Sequence, residues 1–443
     1  MIKYTRIFIT FLLVAVAYGA TAQSAQSTAT TSSPYSKYGL GDINPTLLPQ
    51  NIGMGGIAAA INRISGYNNI NPLNPASYAF INYTTIDAGV YANLSNFSQT
   101  GQANASNANF RLSHIAFAIP VSKRSALSFG LLPYSEMGYN NVQTSTRNGS
   151  SGKTGPDTVT NFIYNGNGGL SKAYLGYGFG IGHLSLGFNV SYIFGDLQQF
   201  SSTEPNLYGT LDTRTDRDNA VGGFNYDYGA QYSFDFGESK TKHLVLGYAA
   251  SANSKINTTS TYIVSQYNYS SAGVENPAVD TLINEQSAKS KIQLPQINHF
   301  GISFQNDGHF IIGADYTMGH WSSLSIAGAN QGFQDSKTFN IGGQFTPDIN
   351  SLHNYFARTD YRLGFIYDES YLNLNNTNIK TTAVTFGFGL PLSPNNGSFY
   401  KINFSAEVGQ RGTLQNGLVK QNFVNLHLAF TLNDKWFQRF KFD

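Results

Sequence analysis

The sequence predicts an all-β fold, a transmembrane antiparallel β-barrel of about 14 strands. Three observations carry that prediction. First, apolar residues recur at every second position over long segments. Leu184, Leu186, Phe188, Val190, Tyr192 and Phe194 alternate with Ser185, Gly187, Asn189 and Ser191, and Tyr400, Ile402, Phe404, Ala406 and Val408 alternate with Lys401, Asn403, Ser405 and Glu407. Successive strand side chains point to opposite faces, so each segment has one apolar face and one small or polar face. Second, charged residues make up only 12% and aromatics 14%, while the hydrophobic share is an ordinary 41%. Third, beyond Ala20 no apolar run approaches the roughly 18 residues of a spanning helix. A disulfide scaffold is excluded, because the chain has no cysteine.

A soluble sandwich shares the period of two, so segment length and face chemistry decide. Many segments run to ten residues or more, against about five or six for soluble strands. Their polar faces carry Gly, Ser, Asn and isolated charges, as a watery lumen would, and Tyr and Phe gather at the segment ends like an interfacial girdle.

The elements follow in order. Lys3 and Arg6 precede the apolar stretch 7–18, and Ala20-Thr21-Ala22 supplies a small-x-small cleavage site, so 1–22 reads as a signal peptide. The alternative, an uncleaved anchor, needs a longer apolar stretch. Cleavage would remove two positive charges and leave 25 Lys and Arg against 25 Asp and Glu. That balance argues against nucleic acid as a partner. Residues 23–33 form a flexible polar leader, and 34–82 are rich in Gly, Asn, Pro and Ile with no sustained period. Strands then fall near 83–99, 108–121, 125–142, 158–182, 184–203, 219–237, 242–267, 288–306, 308–322, 334–346, 356–372, 378–392, 398–412 and 418–432. Short connections alternate with long polar ones near 143–157, 204–218, 268–287 and 323–333, the long ones fitting outer loops. Residues 433–443 form an aromatic-basic periplasmic tail.

The stretch before the barrel carries a resemblance. Tyr35 to Asp42 (YSKYGLGD), Gly53-Met54-Gly55-Gly56 and Asn74-Pro75-Ala76 lie in order there, and Gly387 to Leu392, Gly409 to Gly412 and Asp434 to Phe437 lie near the C-terminus. Together they resemble the FadL/TodX family of outer-membrane hydrophobic-compound transporters, in its Bacteroidota branch with PorV-like relatives. The resemblance implies that 34–82 fold into the lumen of the 83–432 barrel as a plug, with Gly53, Gly55, Gly56, Asn74, Pro75 and Ala76 as its motif. It also implies uptake of small hydrophobic compounds, such as long-chain fatty acids, through the lumen and out sideways beside a kinked third strand.

The residues add their own evidence on that kink. Leu132-Pro133-Tyr134 interrupts the third strand, and proline cannot donate to a ladder. Either the strand breaks at Pro133, or Pro133 sits at a rim where pairing has ended. Pro295 in the eighth segment poses the same choice.

No catalytic or metal constellation stands out, and no cofactor is expected. The eight histidines are scattered without metal-ligand spacing. Gly176, Gly178, Gly180 and Gly182 have period two, which reads as a strand face packed against something close. No G-x-S-x-G turn supports a lipase. By parity Asp87, Asp227, Asp315, Arg362, Asp368, Lys401 and Glu407 face the lumen, either lining a solute path or satisfied in ion pairs, with Arg63 and Asp42 of the plug among the candidate partners. The expected partners are outer-membrane lipid and a hydrophobic small molecule. The alternative is a non-transporting barrel subunit of a secretion or assembly complex, docking through its long loops and tail.

Overall fold

The computed structural model describes residues 33–63, 68–147, 158–207, 209–238, 240–270, 274–392 and 398–436. The signal peptide over 1–22, all but Ser33 of the leader, the turn at 394–397 and the tail beyond Trp436 lie outside the described residues.

Fourteen antiparallel strands close into a barrel. They are β1 (Thr84–Gln99), β2 (Ala105–Ser122), β3 (Ser125–Arg147), β4 (Thr158–Ile181), β5 (Leu184–Pro205), β6 (Asp212–Phe236), β7 (Lys242–Ser251 and Lys255–Tyr267), β8 (Asp280–Gln293 and Ile297–Asn306), β9 (Phe310–Gly319), β10 (Ser336–Phe345), β11 (Asp360–Leu374), β12 (Thr377–Pro391), β13 (Phe399–Gly412) and β14 (Val419–Asp434). Closure runs from Val419 opposite Gln99 to Asp434 opposite Thr84, so the first and last strands leave no free edge where they meet.

The alternation in the sequence becomes two surfaces. Phe188, Tyr192, Phe224, Tyr226, Ile312, Leu363 and Phe430 are exposed on the outside, while Ser185, Asn189, Ser191, Asn225, Asp227 and Gln231 are buried inside. Bilayer hydrocarbon covers the first set, so this is an inside-out polarity rather than an exposed core. Among the described residues no helix is long and apolar enough to cross a membrane.

Three features differ from the sequence expectation, each for a physical reason. The stretches 204–218 and 268–287 were expected as loops, yet β5 runs to Pro205, β6 starts at Asp212 and β8 starts at Asp280. The alternation fades there while the ladder continues: on β8 both faces meet water, with Asp280 to Lys289 exposed throughout, and on β6 residues 212–218 include no apolar side chain to mark a period. Pro295 lies in a break at 294–296 that faces a matching break in β7 at 252–254, and so removes no rung from either ladder. The β11–β12 connection shrinks to Asn375-Asn376, both at positive φ, the backbone a two-residue type I′ hairpin requires.

Candidate functional site

Residues 33–63 and 68–81 lie inside the barrel. Because this segment is mostly irregular, its backbone groups need partners from the wall. Asp315 on β9 accepts from the N–H groups of Ala58 and Ala59, both at 2.7 Å. Gln231 donates to the Ala59 carbonyl at 2.9 Å, Ser303 to that of Ala60 at 2.8 Å, and Asn189 to that of Pro72 at 3.0 Å. Thr385 accepts from the Gly55 N–H at 2.8 Å. The short 3-10 helix Pro75–Phe80 is capped by Asn74, whose Oδ1 accepts from the Ala76 N–H at 3.1 Å while its Nδ2 donates to the Ala59 carbonyl at 2.6 Å. Proline follows because its fixed φ suits the first helical position.

A belt of wall glycines makes this close packing possible. Gly178 and Gly187 face the Pro75 backbone, Gly247 faces Ala59, Gly342 faces Met54, and Gly364 faces Gly55. Gly178 opposes Gly187, and Gly342 opposes Gly364, so the belt runs along the register. Of the four glycines with period two, Gly178 packs on the plug, Gly180 on Arg124 and Gly176 on Asn189, whereas Gly182 forms the β4–β5 turn at φ 58°.

Among the described residues the wall parts at a seam between β2 and β3. The β2–β3 ladder ends at Ile115 opposite Leu131, although β3 stays paired with β4 up to Arg147. Pro133 pairs with Ser171 in mid-wall, and a bulge follows at Tyr134. Pro133 is therefore not at the rim: β3 parts from β2 immediately before it. The plug then supplies what β2 does not. Asp42 and Ile43 form a plug strand opposite Glu136 and Ser135, and the Asn44 N–H donates to the Tyr134 carbonyl at 2.9 Å. Across the seam Arg111 of β2 pairs with Glu136 of β3, which also accepts from Asn44 at 3.2 Å.

Behind the seam lies a chamber of about 450 Å³, within the range of small-molecule sites. Its floor is Leu47, Ile52, Gly56 and Leu73 of the plug, and its opening is marked by Leu112, Leu132 and Pro133. Leu112 is 50% exposed on the lipid side. Toward the long-loop end an apolar layer closes the lumen, with Tyr35, Leu40, Met137, Tyr139, Leu197, Leu324 and Leu372 in one cluster. Trp321 stacks on Tyr371 at 4.2 Å, and the Tyr371 hydroxyl donates to the Gly41 carbonyl at 3.1 Å. Burial pushes the Tyr35 phenol up to about 12, so it stays neutral in this layer.

The lumen charges named from the sequence sort into four groups. Asp87, Arg362 and Lys401 belong to one network at the short-turn end, where Arg362 donates to Asp360 at 3.0 Å and to Asn403 at 2.8 Å. Lys401 reaches Asp360 at 2.7 Å, and Asp87 accepts from Thr431 at 2.7 Å and meets His114 at 2.7 Å. Asp315 holds the plug. Asp368 and Glu407 face the chamber. Asp227 instead pairs with Lys172 at 2.6 Å. The plug's own charges choose other wall partners than those seven: Arg63 meets Asp307 at 3.6 Å and Asp42 meets Arg411 at 2.8 Å. The sequence reading missed Arg111, Glu136, His427 and Trp321. Arg111 and Glu136 were findable as charges beside the proline-interrupted strand. Among the described residues no three His, Asp or Glu side chains converge as a metal site.

The sequence matches the BamG family model over residues 1–443. The chain belongs to the BamG family. No protein with a curated description matches it. Among solved structures, the BamG-family chain is similar to the Ralstonia pickettii toluene transporter TbuX, at 17% identity and a TM-score of 0.55, covering 87% of this chain and 98% of that one. It is similar to the CymD monoaromatic hydrocarbon channel, at 14% identity and a TM-score of 0.53 over 90% of this chain and 100% of that one. A Pseudomonas aeruginosa FadL homologue aligns at 13% identity and a TM-score of 0.53 over 89% of this chain and 99% of that one. At such identities the likeness is one of fold, so FadL/TodX names the architecture and BamG names the family.

Proposed function

We propose that this BamG-family chain is an outer-membrane barrel that moves a small hydrophobic or amphiphilic molecule between its chamber and the bilayer through the β2–β3 seam. The single observation that carries this reading is the end of the ladder at Ile115 and Leu131, with the chamber behind it. Unpaired backbone in hydrocarbon costs several kcal/mol per group, so a ladder does not stop in mid-membrane without a compensating role. The plug strand compensates β3 and leaves the seam lined by side chains. The outward apolar band and the shared fold support an outer-membrane location, and the chain acts as a channel rather than an enzyme. Transport of toluene and of monoaromatic hydrocarbons is what the names of two structural neighbours say of those proteins; long-chain fatty acids are the finer expectation from the sequence. The test joins Arg111→Cys and Glu136→Cys, in a chain without other cysteines, by a short bismaleimide. Cells bearing the joined barrel should lose uptake of radiolabelled toluene and oleate while unjoined cells keep it. Uptake that is absent in both, or unchanged by joining, would sink the reading.

A different observation favours a second reading, a non-transporting subunit of a secretion or assembly complex. Beyond the membrane β3 to β8 continue as a ledge, and the outer segment of β8 exposes Leu282 and Ile283. On its far side that segment is paired, among the described residues, only at Ile292 and Gln293. Open edges of this kind recruit partner strands. Membership of the BamG family rather than a transporter family is consistent with it. Stoichiometric recovery of a partner cross-linked at Leu282 would favour this reading over the first.

A further inference from the structure

We propose that the chamber selects an amphiphile with a cationic, amine-bearing head, admitted from the bilayer through the β2–β3 seam. The inference rests on the chamber being a ligand site and adds the chemistry of the ligand. The charges lining the chamber are unequal: Asp42, Glu136, Asp315, Asp368 and Glu407 face Arg111 and Arg411 alone. Both arginines are already engaged, Arg111 by Glu136 and Arg411 by Asp42. Asp368 accepts from the Thr338 hydroxyl at 2.7 Å and Glu407 from the Asn425 amide at 3.3 Å. Neither has a cation within ion-pair distance among the described residues, and protonating His299 and His427 together would still leave carboxylates in excess.

A second, independent observation points to a hydrogen-bonding ligand. His427 is only 7% exposed and lines the chamber, yet its Nδ1 has no hydrogen-bond partner. It lies two residues from Asn425, on the wall strand that pairs with Glu407. A buried unpaired ring nitrogen is costly unless a ligand or water satisfies it. An ammonium head offers several N–H donors and a positive charge, matching the uncompensated carboxylates and, in the tautomer with its proton on Nε2, the His427 Nδ1. A carboxylate head would meet like charge in a low-dielectric lumen and find no free cation there. Leu47, Leu73, Leu132 and Ile366 supply apolar contact for the chain.

Trp321 lines the chamber, and Trp436 is the only other tryptophan, so a Trp436→Phe chain has one reporter. In phosphatidylcholine nanodiscs at pH 7, Trp321 emission should saturate with dodecylammonium at a concentration at least ten-fold lower than with dodecanoate, after subtracting partition into empty discs. The Asp368→Asn/Glu407→Gln double variant, checked for heat-resistant migration as a folded barrel, should bring the two to within about three-fold. Dodecanoate binding as tightly or more tightly, or a preference unchanged in the double variant, overturns the charge assignment alone. Saturation by neither of these, nor by dodecanol, overturns the chamber as a ligand site as well.

Discussion

Gly364 of β11 faces the backbone of plug residue Gly55 so closely that a Cβ at 364 would overlap the Gly55 N and Cα atoms. The contact is backbone to backbone, so no rotamer change relieves it. Plug and wall are thus fitted to each other by the absence of side chains, and the contact recurs beside it, where Gly342 meets Met54.

Gly364→Val should therefore lift the plug locally and destabilise the barrel by about 1–3 kcal/mol, the usual penalty of overpacking. The readouts are a lower temperature for loss of heat-resistant migration and larger ion conductance in planar bilayers. Gly328→Asn, at a loop position whose φ of 78° asparagine tolerates and where an added Cβ meets nothing within 4 Å, should leave conductance unchanged. Equal effects would mean the belt does not seat the plug.

Asp315→Ala should loosen the same segment by another route. The carboxylate accepts two plug N–H groups, and each buried donor left unsatisfied costs about 1–3 kcal/mol. Hydrogen exchange at Ala58 and Ala59 should rise well above that of β9 itself. Exchange unchanged at these two amides would show that water replaces Asp315 without loss.

Lys172 lies beside the seam, opposite Leu132, and reaches across to Asp227, which also accepts from Ser251 at 2.6 Å. Lys172→Met would leave a buried carboxylate without its cation, a loss of about 3–5 kcal/mol. Adding Asp227→Asn should recover much of it, and urea unfolding of the two variants gives the comparison.

How much of this was legible in the sequence depended on whether a feature is local. Parity placed Asp315, Arg362, Asp368, Lys401 and Glu407 inside, because alternation along one strand fixes the facing of each side chain. The glycine belt was visible only as a fragment at Gly176 to Gly182, since its continuity depends on cross-strand register. Pro133 marked the right strand. The seam itself is a loss of pairing on one edge only, and β3 reads the same whether β2 follows it or not. The outer half of β8 escaped because water on both faces erases the period, and that of β6 because residues 212–218 are all polar.

A pH prediction follows from the loop that carries Trp321 in the layer closing the lumen. Asp335 accepts from the Ser322 hydroxyl at 2.6 Å, the Ser322 N–H at 3.1 Å and His320 at 3.2 Å. These bonds, the Ser322 hydroxyl first, hold its carboxyl below the ordinary range. A lowered folded-state value means that the stabilisation is present above the unfolded carboxylate value of about 3.9 and is lost as pH falls through the lower folded value. Trp321, one residue before Ser322, reports on this. In the Trp436→Phe chain its emission should be flat from about pH 8 to 5 and should shift below about pH 4, with the barrel still folded. Asp335→Asn should hold the low-pH signal at neutral pH. Emission unchanged down to about pH 3 in the folded barrel would show that Asp335 does not order the loop.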